Sequence, residues 1–112
     1  MMNLTLSPPR SASFDSTVRL WDAATGECTA TLNRHSAMVN TVAFSPDAQL
    51  LASGSSDRTV LVWAVRDGSL VRSYTAPAGV FDVSWGSTVP DAPAQLAVCT
   101  ANAVVSVLDV RR

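Results

Sequence analysis

A serine hydroxyl, an imidazole and a carboxylate are the residue types of a nucleophilic triad. There the base takes the hydroxyl proton and the acid holds the base in place. This chain offers one such set, Ser53, His35 and Asp57, and His35 is its single histidine. The pattern around them argues against that chemistry. No G-x-S-x-G elbow is present to expose the serine. The same Ser–Asp spacing also occurs 42 residues earlier, as Ser11 and Asp15, and each pair is followed at fixed distance by a tryptophan, Trp21 or Trp63. Active-site groups have no reason to come in copies tied to an indole. The reading is therefore no enzyme and no catalytic residue, with a hydrolase acting through Ser53 as the weakest rival.

Other chemistries find less. One histidine and two distant cysteines, Cys28 and Cys99, do not make a zinc ligand set, so no metal is expected. Five scattered glycines form no phosphate loop, and no cofactor is expected. The net charge is −1 and no run of cations occurs before Arg111-Arg112, which argues against direct nucleic-acid binding. No apolar run reaches membrane-spanning length, and the start lacks a secretory pattern. The two cysteines read as reduced, buried thiols.

The elements that position these residues follow from the repeat. Asp15 to Asp57 and Trp21 to Trp63 each span 42 residues; Asp57 to Asn102 and Trp63 to Leu108 each span 45. The third copy keeps the spacing and loses the side chains, its extra length falling in GSTVPDAPAQ after Trp85. Copy two predicts four short strands, Val39–Phe44, Leu50–Ser55, Val60–Val65 and Leu70–Tyr74, separated by Ser45-Pro46-Asp47, Ser56-Asp57-Arg58 and Asp67-Gly68. Copy one predicts strands near Ser11, at Thr17–Trp21 and at Cys28–Leu32. Copy three predicts Val80–Trp85, Gln95–Thr100 and Val104–Val110. VLVWAV and VVSVL are apolar on both faces, so these sheets expect cover on both sides. Four-stranded antiparallel units of 40–45 residues, stacked face to face, are propeller blades. The fold class is all-β: a partial propeller of about two and a half blades, not closed. Residues 1–10 form a divergent N-terminal segment, 11–34 a partial blade, 35–77 a complete blade and 78–112 a three-stranded last blade. Asn3–Leu6 is a further candidate strand, for the inner place of copy one or the outer place of copy three.

TVRLWD at Thr17–Asp22 and VAFSPDAQLLASGSSDRTVLVW at Val42–Trp63 resemble the WD-repeat family. The order SASFDSTVRLWD, VAFSPDAQLLASGSSD, GVFDVSW and terminal VSVLDVRR is similar to the C-terminal blades of transducin β-like (F-box-like/WD repeat) corepressor-complex subunits. Those proteins carry an N-terminal dimerisation and F-box-like region and earlier blades, to which MMNLTLSPPR has no likeness. The chain reads as the last blades behind a start of its own: a fragment, a shortened isoform or a gene-model artefact.

The family arrangement implies a buried structural relay. Asp57 accepts from turn amides and from His35, His35 links to Ser53, and Ser53 reaches the Trp63 indole. Ser11, Asp15 and Trp21 are its remnant in copy one. Copy three has Val98, Asn102 and Leu108 at these places, so that blade is expected to hold by apolar packing alone. The resemblance further implies a non-catalytic scaffold in the nucleus, or otherwise the cytoplasm, whose partners are corepressor or histone-deacetylase complex subunits. The partner-binding rim carried over is Phe14, Ser16, Met38, Asn40, Ser56, Arg58 and Phe81. An alternative is a substrate receptor of a cullin-type ubiquitin ligase, because Leu51–Arg66 resembles an adaptor-docking box with Arg66 in place. The open blade faces also predict self-association, since bare apolar sheet is an aggregation hazard.

Overall fold

The structure, a computed structural model, describes residues 10–14, 16–22, 25–86 and 94–110. Asn3–Leu6, Asp15 and most of the Pro-containing insertion lie outside the described residues. Ten strands follow in order: β1 (Arg10–Phe14), β2 (Val18–Asp22), β3 (Cys28–Leu32), β4 (Val39–Phe44), β5 (Leu50–Ser55), β6 (Thr59–Ala64), β7 (Leu70–Thr75), β8 (Val80–Trp85), β9 (Ala94–Thr100) and β10 (Val105–Val110). They pair as three antiparallel meanders, β1-β2-β3, β4-β5-β6-β7 and β8-β9-β10.

Local chemistry makes the hairpins. Between β5 and β6 the Arg58 amide donates to the Ser55 carbonyl at 3.1 Å, and Arg58 itself has φ +71°. Between β9 and β10 the Ala103 amide donates to the Thr100 carbonyl at 3.1 Å, with Ala103 at φ +65°. Both are the turn-plus-left-handed-residue loop that keeps right-handed strand twist. Between β4 and β5, Ser45 Oγ donates to Asp47, whose carboxylate also takes the Gln49 amide, fixing the Ser45-Pro46-Asp47 turn.

Alternation then divides the middle sheet between two cores. Leu51, Leu61 and Trp63 pack toward Val18, Leu20 and Leu32 of the first sheet. Leu50, Ala52, Val60 and Val62 pack toward Val80, Val83, Leu96 and Val98 of the last. β5 is buried along its whole length because both its faces are covered. Gly54 permits the close approach of β8: a Cβ there would lie 2.4 Å from Val80 Cγ1 and 2.9 Å from Thr41 Cγ2.

Two sequence expectations need correction. VVSVL in β10 is covered on one side only, and Val105 and Val107 are 65% and 62% exposed, because no further sheet lies beyond the last one among the described residues. Nor is the last sheet held by apolar packing alone. The Trp85 indole donates to the Ala43 carbonyl at 2.9 Å. The Thr41 hydroxyl donates to Asp82 Oδ1 at 3.2 Å and takes the Val83 amide at 3.4 Å. These bonds join β8 to β4 across the sheet-to-sheet interface. Among the described residues the three sheets stack in a row and do not close into a ring.

Candidate functional site

The structure brings His35, Ser53, Asp57 and Trp63 together. The Trp63 Nε1–H donates to Ser53 Oγ at 2.9 Å, and Ser53 Oγ lies 2.7 Å from His35 Nε2. His35 Nδ1 stands 3.1 Å from Asp57 Oδ2. A carboxylate accepts only, so Nδ1 carries the proton and Nε2 is left to accept from the Ser53 hydroxyl. The donors therefore run one way, indole to hydroxyl to imidazole to carboxylate. Asp57 also accepts the Ser36 amide and the Thr59 amide, each at 2.9 Å, and the Thr59 hydroxyl. Every buried side-chain polar atom among the described residues has a partner.

The electrostatics follow from the packing. Burial is the main influence on His35 and lowers its pKa below the ordinary 6.5, against the opposing pull of the Asp57 hydrogen bond and charge. For Asp57, burial alone would raise the carboxyl. The Thr59 hydroxyl, the Ser36 and Thr59 amides and His35 together outweigh it and hold the carboxyl at about 2. Ser53 is fully buried with its oxygen shared between Trp63 and His35, so no substrate reaches it. The set is built to satisfy an interior rather than to attack a carbonyl.

Sequence reasoning missed two members. Thr59 lies opposite the imidazole, 3.1 Å from Nδ1, and supplies Asp57 with two donors. Ser55 donates to the Met38 carbonyl at 2.8 Å and takes the Asp57 amide at 3.1 Å. Both were visible in the repeat, since Thr17 and Ser13 stand 42 residues earlier. Elsewhere the set is incomplete. In copy one the side chain of Ser11 and all of Asp15 lie outside the described residues, while Trp21 is half-buried. The first hairpin sets Ser11 opposite Trp21, whereas the middle one sets Leu51 opposite Trp63, a difference of two residues in register. In copy three Val98 is buried, and the turn holds through Thr100 Oγ1 to Asn102 Oδ1 and to the Val104 carbonyl.

Above the relay is a rim. The Ser56 amide donates to the Met38 carbonyl at 3.0 Å. Asn40 Nδ2 donates to Ser56 Oγ and to the Val80 carbonyl, both at 2.9 Å, and so ties the middle sheet to the last. On either side of this tie Met38 and Phe81 are 62% and 63% exposed. Ser16, Ser56 and Arg58 are exposed and Asn40 half-buried, while the Phe14 side chain lies outside the described residues. Arg66 is exposed in the hairpin after β6, away from this rim. The cysteines are free but not buried: Cys28 is exposed on the outer strand β3 and Cys99 is half-exposed on the uncovered face of the last sheet.

Stacked antiparallel meanders, the middle one four-stranded with a Ser–His–Asp–Trp interior, define a class, and residues 26–64 match the family described as WD domain, G-beta repeat. Residues 26–64 thus carry a WD repeat, and the stacked sheets have the architecture of a partial β-propeller. More particularly, the chain is similar to F-box-like/WD repeat-containing protein TBL1X of Mus musculus, 47% identical over 102 residues, which are 91% of this chain and 19% of that one. It is similar also to F-box-like/WD repeat-containing protein TBL1Y of Homo sapiens, 51% identical over 77 residues, covering 69% of this chain and 15% of that one. The chain thus spans less than a fifth of the length of these curated relatives. Among solved structures, the crystal structure of the Myceliophteria_thermophila Cps50 (Swd1) beta-propeller domain superposes with a TM-score of 0.84. It is 22% identical and covers 97% of this chain and 35% of that one, a likeness of fold.

Proposed function

We propose that this chain is a non-catalytic protein-interaction scaffold. It presents the rim residues Met38, Asn40, Ser56, Arg58 and Phe81 to another protein, in a nuclear transcriptional corepressor complex that contains a histone deacetylase. The observation that carries the scaffold reading is the exposed Met38–Phe81 pair held across the Asn40 tie. Side chains on a pre-ordered backbone lose little entropy on binding, and aromatic anchors dominate interface energies. The corepressor assignment is supported by the likeness to TBL1X and TBL1Y and by the VSVLD tail of β10.

Affinity capture from nuclear extract tests both parts. Full-length bait recovers histone-deacetylase complex subunits, and Met38→Ala with Phe81→Ala reduces their recovery at least fivefold while the melting temperature is unchanged. Recovery indifferent to both substitutions contradicts the rim. Recovery of a cullin-ligase adaptor instead, lost on Arg66→Ala, replaces the corepressor reading.

A further inference from the structure

Met38 differs from the other exposed apolar residues in carrying sulfur. Of the chain's three methionines, Met1 and Met2 lie outside the described residues, and Met38 is the last residue before β4. Its main chain is fixed. The Met38 carbonyl accepts from the Ser55 hydroxyl at 2.8 Å and from the Ser56 amide at 3.0 Å. The same hydroxyl lies 3.1 Å from the Ala37 carbonyl, and the Ser36 amide donates to Asp57 at 2.9 Å. Val39, the next residue, is fully buried in the core between the first and middle sheets. The Met38 side chain nevertheless stands 62% exposed. Neither core uses a methionine among the described residues. A change confined to this thioether therefore leaves the interior and the relay as they are.

We propose that Met38 is a redox-sensitive modification site: a peroxide oxidises it to methionine sulfoxide, which releases the partner from the rim, and enzymatic reduction of the sulfoxide restores binding. The proposal rests on the scaffold reading, in which a partner covers Met38. The chemistry balances on hydrogen peroxide alone. The sulfur lone pair attacks one peroxide oxygen, the O–O bond breaks, and the other oxygen leaves as water. Sulfur loses two electrons and the peroxide gains them. A flexible apolar group then becomes a polar one with a strong acceptor oxygen. In a core this would damage the fold. On the pinned backbone of residues 36–38 it alters only what a partner meets. A partner that lays apolar surface on the thioether must bury the new oxygen without a donor, and an unpaired buried acceptor weakens an interface. Phe81, across the Asn40 tie, carries no sulfur, so oxidation changes one half of the rim and leaves the other. Cys28 and Cys99 also meet solvent, and a substitution at Met38 separates their oxidation from its own.

The full chain is treated with hydrogen peroxide and desalted, and each methionine is read by peptide mass spectrometry. Sulfoxide at Met38 is expected, with circular dichroism and melting temperature unchanged, and methionine sulfoxide reductases with dithiothreitol remove it. Treated and untreated chains then serve as bait in nuclear extract, and the recovered histone-deacetylase complex subunits are quantified. Oxidation is expected to lower recovery roughly fivefold or more, and the reductases to restore it. Met38→Leu keeps an aliphatic side chain without sulfur; it recovers the subunits as the unaltered chain does, before and after peroxide. Should that variant bind nothing, restoration by the reductases and not by dithiothreitol alone decides. Equal recovery by oxidised and untreated bait overturns the proposal and leaves the rim reading standing. So does a loss on oxidation that persists in Met38→Leu, or a Met38 that peroxide leaves unoxidised. Failure of the untreated bait to recover these subunits overturns the rim reading itself, and this proposal with it.

Discussion

The Trp63 indole ends on the Ser53 hydroxyl, 2.9 Å away on the neighbouring strand. That hydroxyl is at the same time 2.7 Å from His35 Nε2. One oxygen thus satisfies two buried ring nitrogens from different parts of the chain. In the last sheet, where Val98 stands in place of this serine, Leu108 stands in place of the tryptophan.

Ser53→Ala removes that oxygen and leaves both nitrogens unpaired. At roughly 1–3 kcal/mol for each orphaned group, the expected loss is about 2–6 kcal/mol of unfolding free energy, measured by urea denaturation. A loss below about 0.5 kcal/mol would mean that the relay does not hold the sheet.

The relay also sets a pH dependence. The folded pKa of His35 lies below its ordinary 6.5, so the unfolded chain binds more protons there, and stability rises with pH. Its contribution is complete above 6.5 and declines as pH falls below that value. Asp57, held at about 2 against an ordinary 3.8, acts in the same direction: its contribution is complete above 3.8 and is lost as pH falls toward 2. Because His35 is the single histidine, His35→Gln flattens the slope between pH 7 and 5 in denaturation curves. An unchanged slope in that variant would assign it elsewhere.

Most of this geometry was legible because repetition exposes burial. Ser, Asp and Trp recur at 42-residue spacing, and the strands fall within about a residue of the predicted bounds. What escaped was chemistry between copies. Nothing local to Asn40 announces that its amide reaches Ser56 and the Val80 carbonyl. Nothing local to Trp85 announces an acceptor at Ala43, 42 residues away. Such bonds depend on how sheets stack, which strand periodicity does not encode. Phe81 shows the converse: its aromatic character does not say whether it packs or protrudes, and the structure leaves it 63% exposed.

Stacking makes its own demand at Gly54. With Val80 Cγ1 at 2.4 Å from where a Cβ would stand, Gly54→Ala forces β8 away from β5. The expected loss is about 1–3 kcal/mol, as for other overpacked interiors. Val80→Ala, destabilising alone, restores part of that loss in the double variant, and a thermal-melt cycle over the four proteins measures the coupling. Strict additivity would show that the two sheets do not meet there.

Hydrogen exchange of the tryptophan indoles, followed by ¹⁵N NMR, tests most directly whether the repeated polar residues serve the interior. The Trp63 indole proton should exchange as slowly as the β5 and β6 amides, and should lose most of that protection in Ser53→Ala even under conditions where the variant stays folded. Exchange of the Trp63 indole at the rate of a solvent-exposed indole in the unaltered chain would contradict the account.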